Sequence, residues 1–341
     1  IETIKNWLIM DVNTIKNISF FGALFTLLVI SVGAWVRLTD AGLGCPDWPS
    51  CYGLLTPPIS DLELSQAKNI HPDAIIDTGK AWREMLHRYL AGILGLYVFF
   101  TAYLTIKYSK NTSNILPIAL VMLIIIQSIM GMLTVTELVK PTIVTIHLIL
   151  GMTTASLMYW NGLKVVANHN MINLNRTLIL IIIICIFGLL TQIILGGWTS
   201  TNYASLACTD FPKCSNQWWP NNMDFKSGFT IFNLPNINYE GGPLEYNAKL
   251  AVHFTHRIGA LILSLLFLWL FIYLFFLQTN KNIKKVGMIV MVLFVVQIML
   301  GISNIIFSLP VSIAVLHTVN ASALLMSMMA LLYYSTYNTQ R

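Results

Sequence analysis

His87 and His147 stand 60 residues apart in the first half of the chain, and His256 and His317 stand 61 apart in the second. All four lie on long apolar stretches. Neutral imidazole is a good iron ligand, and a bis-histidine heme takes two imidazoles from facing helices of a bundle. Two matched pairs therefore point to two hemes. A single histidine on an apolar helix is more often a polar side chain satisfied inside a bundle. Four in duplicate reverse that expectation, because an intramembrane ionisable residue is costly and defaults to function. Zinc or copper would want a third or fourth ligand beside each pair. Only Glu84, one turn before His87, and His253, one turn before His256, stand near enough on the same helices. Two histidines alone suit a porphyrin better.

The cysteines carry a second duplicated signal. Cys-x5-Cys occurs as Cys45-Pro-Asp-Trp-Pro-Ser-Cys51 and as Cys208-Thr-Asp-Phe-Pro-Lys-Cys214, between apolar runs. If these connections lie outside the cytoplasm, two local disulfides form, Cys45–Cys51 and Cys208–Cys214. The expected role is to fix a lid over each bundle. A redox role is the alternative, since an exposed short-loop disulfide can be labile. Cys185, alone in an apolar run, reads as a packing residue.

The elements that must position these residues follow from repetition and composition. Gly33, Trp35, Cys45, Asp47, Pro49 and Cys51 recur 163 positions later as Gly196, Trp198, Cys208, Asp210, Pro212 and Cys214. His87, Arg88 and Ala91 recur 169 positions on as His256, Arg257 and Ala260, and Gln127, Gly131 and His147 recur 170 on as Gln297, Gly301 and His317. The chain is a parallel duplication. With 56% hydrophobic and 10% charged residues and a mean hydropathy of +0.70, it has too little polar surface for a water-soluble globule. Apolar runs at about 17–37, 83–106, 114–135, 141–163, 177–199, 250–277, 285–307 and 310–335 are long enough to cross a ~30 Å hydrocarbon core. The expected fold is an all-α membrane protein of eight transmembrane helices, arranged as two tandem pseudo-symmetric four-helix bundles over residues 1–172 and 173–341.

Charge sets the expected orientation. Lys107 and Lys110, Lys164 and Arg176, and Lys281, Lys284 and Lys285 fall in the 2–3, 4–5 and 6–7 connections, which carry no acid and read as cytoplasmic. Both termini are then cytoplasmic and the cysteine-bearing connections, roughly 38–82 and 200–249, are periplasmic. Residues 1–16 are too polar for the apolar core of a cleavable signal, so the first helix is expected to be its own uncleaved signal. The net charge of +6 reflects topology. No basic patch with interleaved aromatics points to nucleic acid. His87, His147, His256 and His317 all enter from the outer side within about two turns, roughly 6–10 Å down at ~1.5 Å per residue. His71 and His169 fall in connections on opposite sides and are given no role.

The stretch Arg37-Leu-Thr-Asp-Ala-Gly-Leu-Gly-Cys-Pro-Asp-Trp-Pro, the segment Glu84-Met-Leu-His87-Arg88 and the segment Thr255-His256-Arg257 resemble the heme A synthases. The second long connection, with Asn216-Gln-Trp-Trp-Pro and Asn238-Tyr-Glu-Gly-Gly, is similar to the proteobacterial and mitochondrial branch. The resemblance covers the chain in order. It implies an inner-membrane oxidoreductase that turns a ring methyl of heme O into a formyl group by successive hydroxylations and loss of water. Heme O is then the substrate, heme A the product and heme b the resident cofactor. It also implies heme O synthase as donor, terminal oxidase assembly as recipient, a lipid bilayer as surroundings and room for a homo-oligomer. Mitochondrial members need not carry the cysteine pairs, so the disulfides are not essential to the chemistry everywhere.

Within that frame the iron ligands are symmetric but the acid is not, since an offset of 169 sets Glu84 opposite His253. Glu84 is the candidate catalytic residue, able to orient water or exchange protons beside a heme edge. Pairing with Arg83 or Arg88 is the bland alternative. His87 and His147 then hold the iron of heme O or heme A, and His256 and His317 that of heme b. Arg88 and Arg257 are candidates for the propionates, although snorkelling also accounts for them. Iron held by two histidines has no open position, so either a ligand leaves or water supplies the oxygen. A diheme electron carrier would use the same histidines without chemistry, but it would set hemes at two depths. A thiol-disulfide oxidoreductase would leave four histidines without purpose, and a transporter finds no broken helix pair.

Overall fold

The computed structural model describes residues 11–109, 113–165, 175–232, 234–278 and 280–337. Residues 1–10 of the expected signal segment, Lys110 and His169 lie outside the described residues. Eight helices long and apolar enough to cross a membrane are present among them. These are α1 (Val12–Leu38), α2 (Thr78–Tyr108), α3 (Ile115–Thr136), α4 (Pro141–Val165), α5 (Arg176–Thr201), α6 (Tyr246–Ile272), α7 (Lys281–Ile306) and α8 (Val311–Thr336). A π-helical turn, Tyr273–Leu277, ends α6. The protein is a multi-pass, all-helical membrane protein, because in lipid only the helix satisfies every backbone group of a lone segment.

All eight expected runs are helices, and their ends carry ordinary signals. The side chains of Asp11, Asp77, Asn175 and Asn280 cap α1, α2, α5 and α7, and Pro141 opens α4 at a position that needs no donor. α2 and α6 begin earlier than the apolar runs do, at Thr78 and Tyr246 instead of 83 and 250. His87 and His256 therefore lie nine and ten residues past their first helical residues (78 to 87, 246 to 256), against six for His147 and His317 (141 to 147, 311 to 317). The expectation of two turns holds for α4 and α8 and is a turn short for α2 and α6. Hydropathy reads only the apolar part of a helix, and each extra turn carries a lysine, Lys80 or Lys249, with Asp77 capping that of α2.

Packing arranges the helices so that the histidines face across bundles. α1 packs on α2 and α4, and α3 packs on the same two, leaving α2 and α4 across from each other. α5 packs on α6 and α8, α7 packs along α8 and touches α6 only briefly, and α6 and α8 stand across. The two sets meet where α8 lies on α1 and α4 and where α4 lies on α5. Polar pins supplement van der Waals contact, the main attraction between helices in lipid. Asn161 of α4 donates to Ser19 of α1 and Thr105 of α2, at 3.0 Å each, and Tyr333 of α8 donates to the Leu163 carbonyl at 3.0 Å.

Both cysteine-bearing connections gather at one end. The first contains a ten-residue helix, Asp61–Ile70, opened by a capping box of Ser60 and Glu63. The second reaches over the first half: the Tyr239 N–H donates to the Leu138 carbonyl at 3.1 Å, and Glu240 pairs with Lys80 at 3.5 Å. Arg37 donates to the Ser200 carbonyl and stacks 3.9 Å over the ring of Tyr203, whose hydroxyl donates to Asp40 at 2.7 Å. Local backbone repeats at the sequence offsets. Asp40, Tyr52, Leu138 and Val139 have positive φ, and so do Tyr203, Ser215, Ser308 and Leu309.

Candidate heme site

Each of the four histidines packs its ring on a glycine of the neighbouring helix. A Cβ built on Gly33 of α1 would stand 2.7 Å from His87 Cε1, and one on Gly196 of α5 would stand 3.1 Å from His256 Cε1. On Gly131 of α3 and Gly301 of α7 it would stand 3.3 and 3.2 Å from the Cε1 atoms of His147 and His317. The missing side chain is what admits the ring. The same approach brings three rings to the backbone carbonyl one turn earlier, Val29 for His87, Gln127 for His147 and Gln297 for His317. His147 interacts electrostatically with His87, and His256 with His317, so the members of each pair share a space.

This donor set fits a heme iron. Nδ1 of His87, His147 and His317 is buried without a hydrogen-bond partner, a state that costs about 1–3 kcal/mol per group unless something occupies it. Among the described residues no three His, Cys, Asp or Glu side chains cluster as a metal site would require, so two imidazoles per site are the ligands on offer. A graded outcome follows for the glycines. Gly33→Ala should displace His87 and lower heme occupancy sharply, whereas Gly131→Ala, with 3.3 Å available, should be milder. Heme content per purified protein measures it, and equal effects at both positions would show that the close approach is unimportant.

Above the histidines the two disulfide loops are held in the same way. Both bridges are formed, Cys45–Cys51 and Cys208–Cys214, and Cys185 is free and buried. Asp47 accepts from Ser50 Oγ and from the N–H groups of Tyr52 and Gly53, and Asp210 accepts from those of Ser215 and Asn216. Burial pushes the Asp47 carboxyl up, but those hydrogen bonds outweigh it and hold it below the usual carboxylate range. Arg88 donates to the carbonyls of Asp47 and Ser50 at 2.9 and 2.8 Å, and Arg257 donates to those of Asp210 and Lys213 at 2.8 Å each. Peptide mapping of unreduced protein should return these two local links with Cys185 unlinked. A bridge between the loops would overturn the pairing.

Glu84 and His253 share one anchoring task. Oε2 of Glu84 accepts from the Cys45 N–H at 2.8 Å while Oε1 takes Arg88; Nδ1 of His253 accepts from the Cys208 N–H at 3.1 Å while Nε2 meets Arg257 at 3.4 Å. Both side chains are buried. The difference between the halves is therefore one of chemistry at a common position, a carboxylate in one and an imidazole in the other.

A family model described as cytochrome oxidase assembly protein, COX15-CtaA, matches residues 16–329. The chain belongs to this family. A relative named heme A synthase from Shewanella oneidensis is 41% identical over 315 residues, spanning 91% of this chain and 93% of its own. Relatives of the same name from Pelagibacter ubique and Orientia tsutsugamushi are 28% and 27% identical, over 91% and 89% of this chain and 94% and 90% of theirs. In this family member, the glycines opposite the histidines were visible only as letters repeated at fixed offsets. Gln192 and Asn320, which also reach the histidines or their partners, have no matching letter in the first half and gave no signal. His71 rests edge-on against the Tyr52 ring, 5.9 Å between centroids.

Proposed function

We propose that the protein is a heme A synthase, an oxidoreductase that converts a ring methyl of heme O to the formyl of heme A for terminal oxidases. Family membership over residues 16–329 supports this. The observation that carries it is four imidazoles, each admitted by a glycine, in two pairs across two groups of four helices. The halves, 1–172 and 173–341, act as duplicated bundles, with the repeated positive-φ positions in support. His87 and His147 take heme O, and His256 and His317 take heme b. When bound, heme b supplies a one-electron route out of the substrate site.

The side chains around these ligands have separate tasks. Arg88 and Arg257 donate to loop carbonyls, so we assign them to holding the disulfide lids, which exclude water from the heme edges. Glu84 anchors its lid and is the one carboxylate a turn from a ligand, which makes it the group proposed to take protons as the methyl is oxidised. The lids face the periplasm of a bacterial inner membrane, by the lysine and arginine count of the opposite connections. Heme O synthase is the proposed donor and terminal oxidase assembly the recipient.

Expression beside a heme O synthase, in cells lacking any heme A synthase, tests the reading. Extracted hemes should include heme A only when this chain is present. Heme O alone, with the protein intact in the membrane, would refute it.

A further inference from the structure

Each disulfide lid ends in an uncharged apolar tip that the rest of the described residues leave exposed. The bridge turns Cys51–Leu54 and Cys214–Gln217 are counterparts at the offset of 163, and the residues that follow them, Leu55 and Trp218, are 85% and 70% exposed. Trp219 is exposed as well, at 66%. No charged residue occurs from 53 to 59 or from 215 to 222, although the connections around them carry both signs. Apolar side chains left open at matched places in both halves mark an interaction surface.

Contacts with the helices fix how deep the tips sit. Tyr89 of α2 donates its hydroxyl to the Leu55 carbonyl at 2.6 Å, and the Trp219 ring stands edge-on against Phe254 of α6, 5.1 Å between centroids. Tyr89 lies six residues inside the apolar run that starts at 83, and Phe254 four inside the run that starts at 250. At ~1.5 Å per residue these places are about 9 and 6 Å along the helices. Interfacial segments bury their apolar side about 5–10 Å into the boundary of headgroups and acyl chains. The same helix faces continue as exposed stripes, Tyr89, Ile93 and Leu96 on α2 and Ile258, Leu261 and Leu265 on α6, and such stripes on spanning helices face lipid. Lys213 holds Nζ 5.9 Å over the Trp218 ring. Indole beside a lysine is a side-chain pair suited to the membrane–water interface.

We propose that Leu55, and Trp218 with Trp219, insert into the nearer leaflet of the bilayer. Lipid then seats each lid from the outside while Arg88 or Arg257 holds it from within, and the space over each histidine pair stays closed to water without further protein packed on the loop. These anchors act whichever heme each pair holds.

Full-length protein in phosphatidylcholine nanodiscs tests it. Emission lost in the double variant Trp218→Phe with Trp219→Phe isolates those two indoles among the nine tryptophans, and phenylalanine keeps a ring against Phe254. Most of that emission should be quenched by lipid brominated near the top of the acyl chain and little by aqueous iodide. Leu55→Trp in the double variant should add emission with the same pattern. Leu55→Asp and Trp218→Asp should speed amide exchange a few-fold at Leu54 and Gln217, whose N–H groups close the bridge turns. Quenching by iodide would place the tips in water, and protection from both quenchers would put a protein surface, a second copy or another chain, over them. Either result overturns the proposal, and so does unchanged exchange at both bridge turns.

Discussion

Replacing His256 or His317 by alanine is expected to strip heme b from the purified protein. Outer-shell changes already cost about 10–100-fold in metal affinity, and loss of the ligand itself exceeds that. Both rings are seated on glycines, Gly196 and Gly301, which carry no side chain that could serve as a ligand in their place. The reduced-minus-oxidised spectrum should lose its b-type band in either variant. Substitution of His87 or His147 should spare that band and abolish heme A formation. Full heme b spectra in both His256→Ala and His317→Ala would sink the assignment of the halves.

Glu84 gives the second large effect. Glu84→Gln keeps volume and one acceptor oxygen, enough for the Cys45 N–H, while removing the ionisable group and the second oxygen that takes Arg88. Proton transfer by a positioned side chain contributes about 10²–10⁴-fold, so heme O or a hydroxylated intermediate should accumulate with heme b occupancy unchanged. Anchoring alone would produce a different pattern in Glu84→His. That variant installs the residue which, as His253, holds the Cys208 N–H at 3.1 Å in the other half. Extracted-heme chromatography distinguishes the cases. Heme A restored in Glu84→His would assign Glu84 to the lid, and wild-type yields in both variants would remove the carboxylate from the chemistry.

Eight helices, four candidate ligands and two cysteine pairs were legible in the sequence. The physical reason is that lipid removes most alternatives. A run of apolar residues long enough to span must be helical, and an ionisable side chain within it stands out against a background with few. Duplication then marked His87 with His256 and His147 with His317 by spacing alone.

Tertiary structure decided what those residues touch. Arg88 and Arg257 could be placed near the outer surface by sequence, but their partners lie 38 to 49 residues away in folded loops, and no local pattern encodes such a contact. Glu84 and His253 fall opposite each other at the repeat offset but look unlike as letters, and their common task shows only when each is seen accepting the first cysteine's N–H. Gly33 and Gly196 read as repeated small residues until α2 and α6 bring imidazoles against them. Sequence determined the secondary structure and the inventory of candidate ligands, because both follow from local polarity and the bilayer. The lids, the ring seats and the amides on the second pair depend on which helix faces are brought together, and that is fixed by packing between segments far apart in the chain.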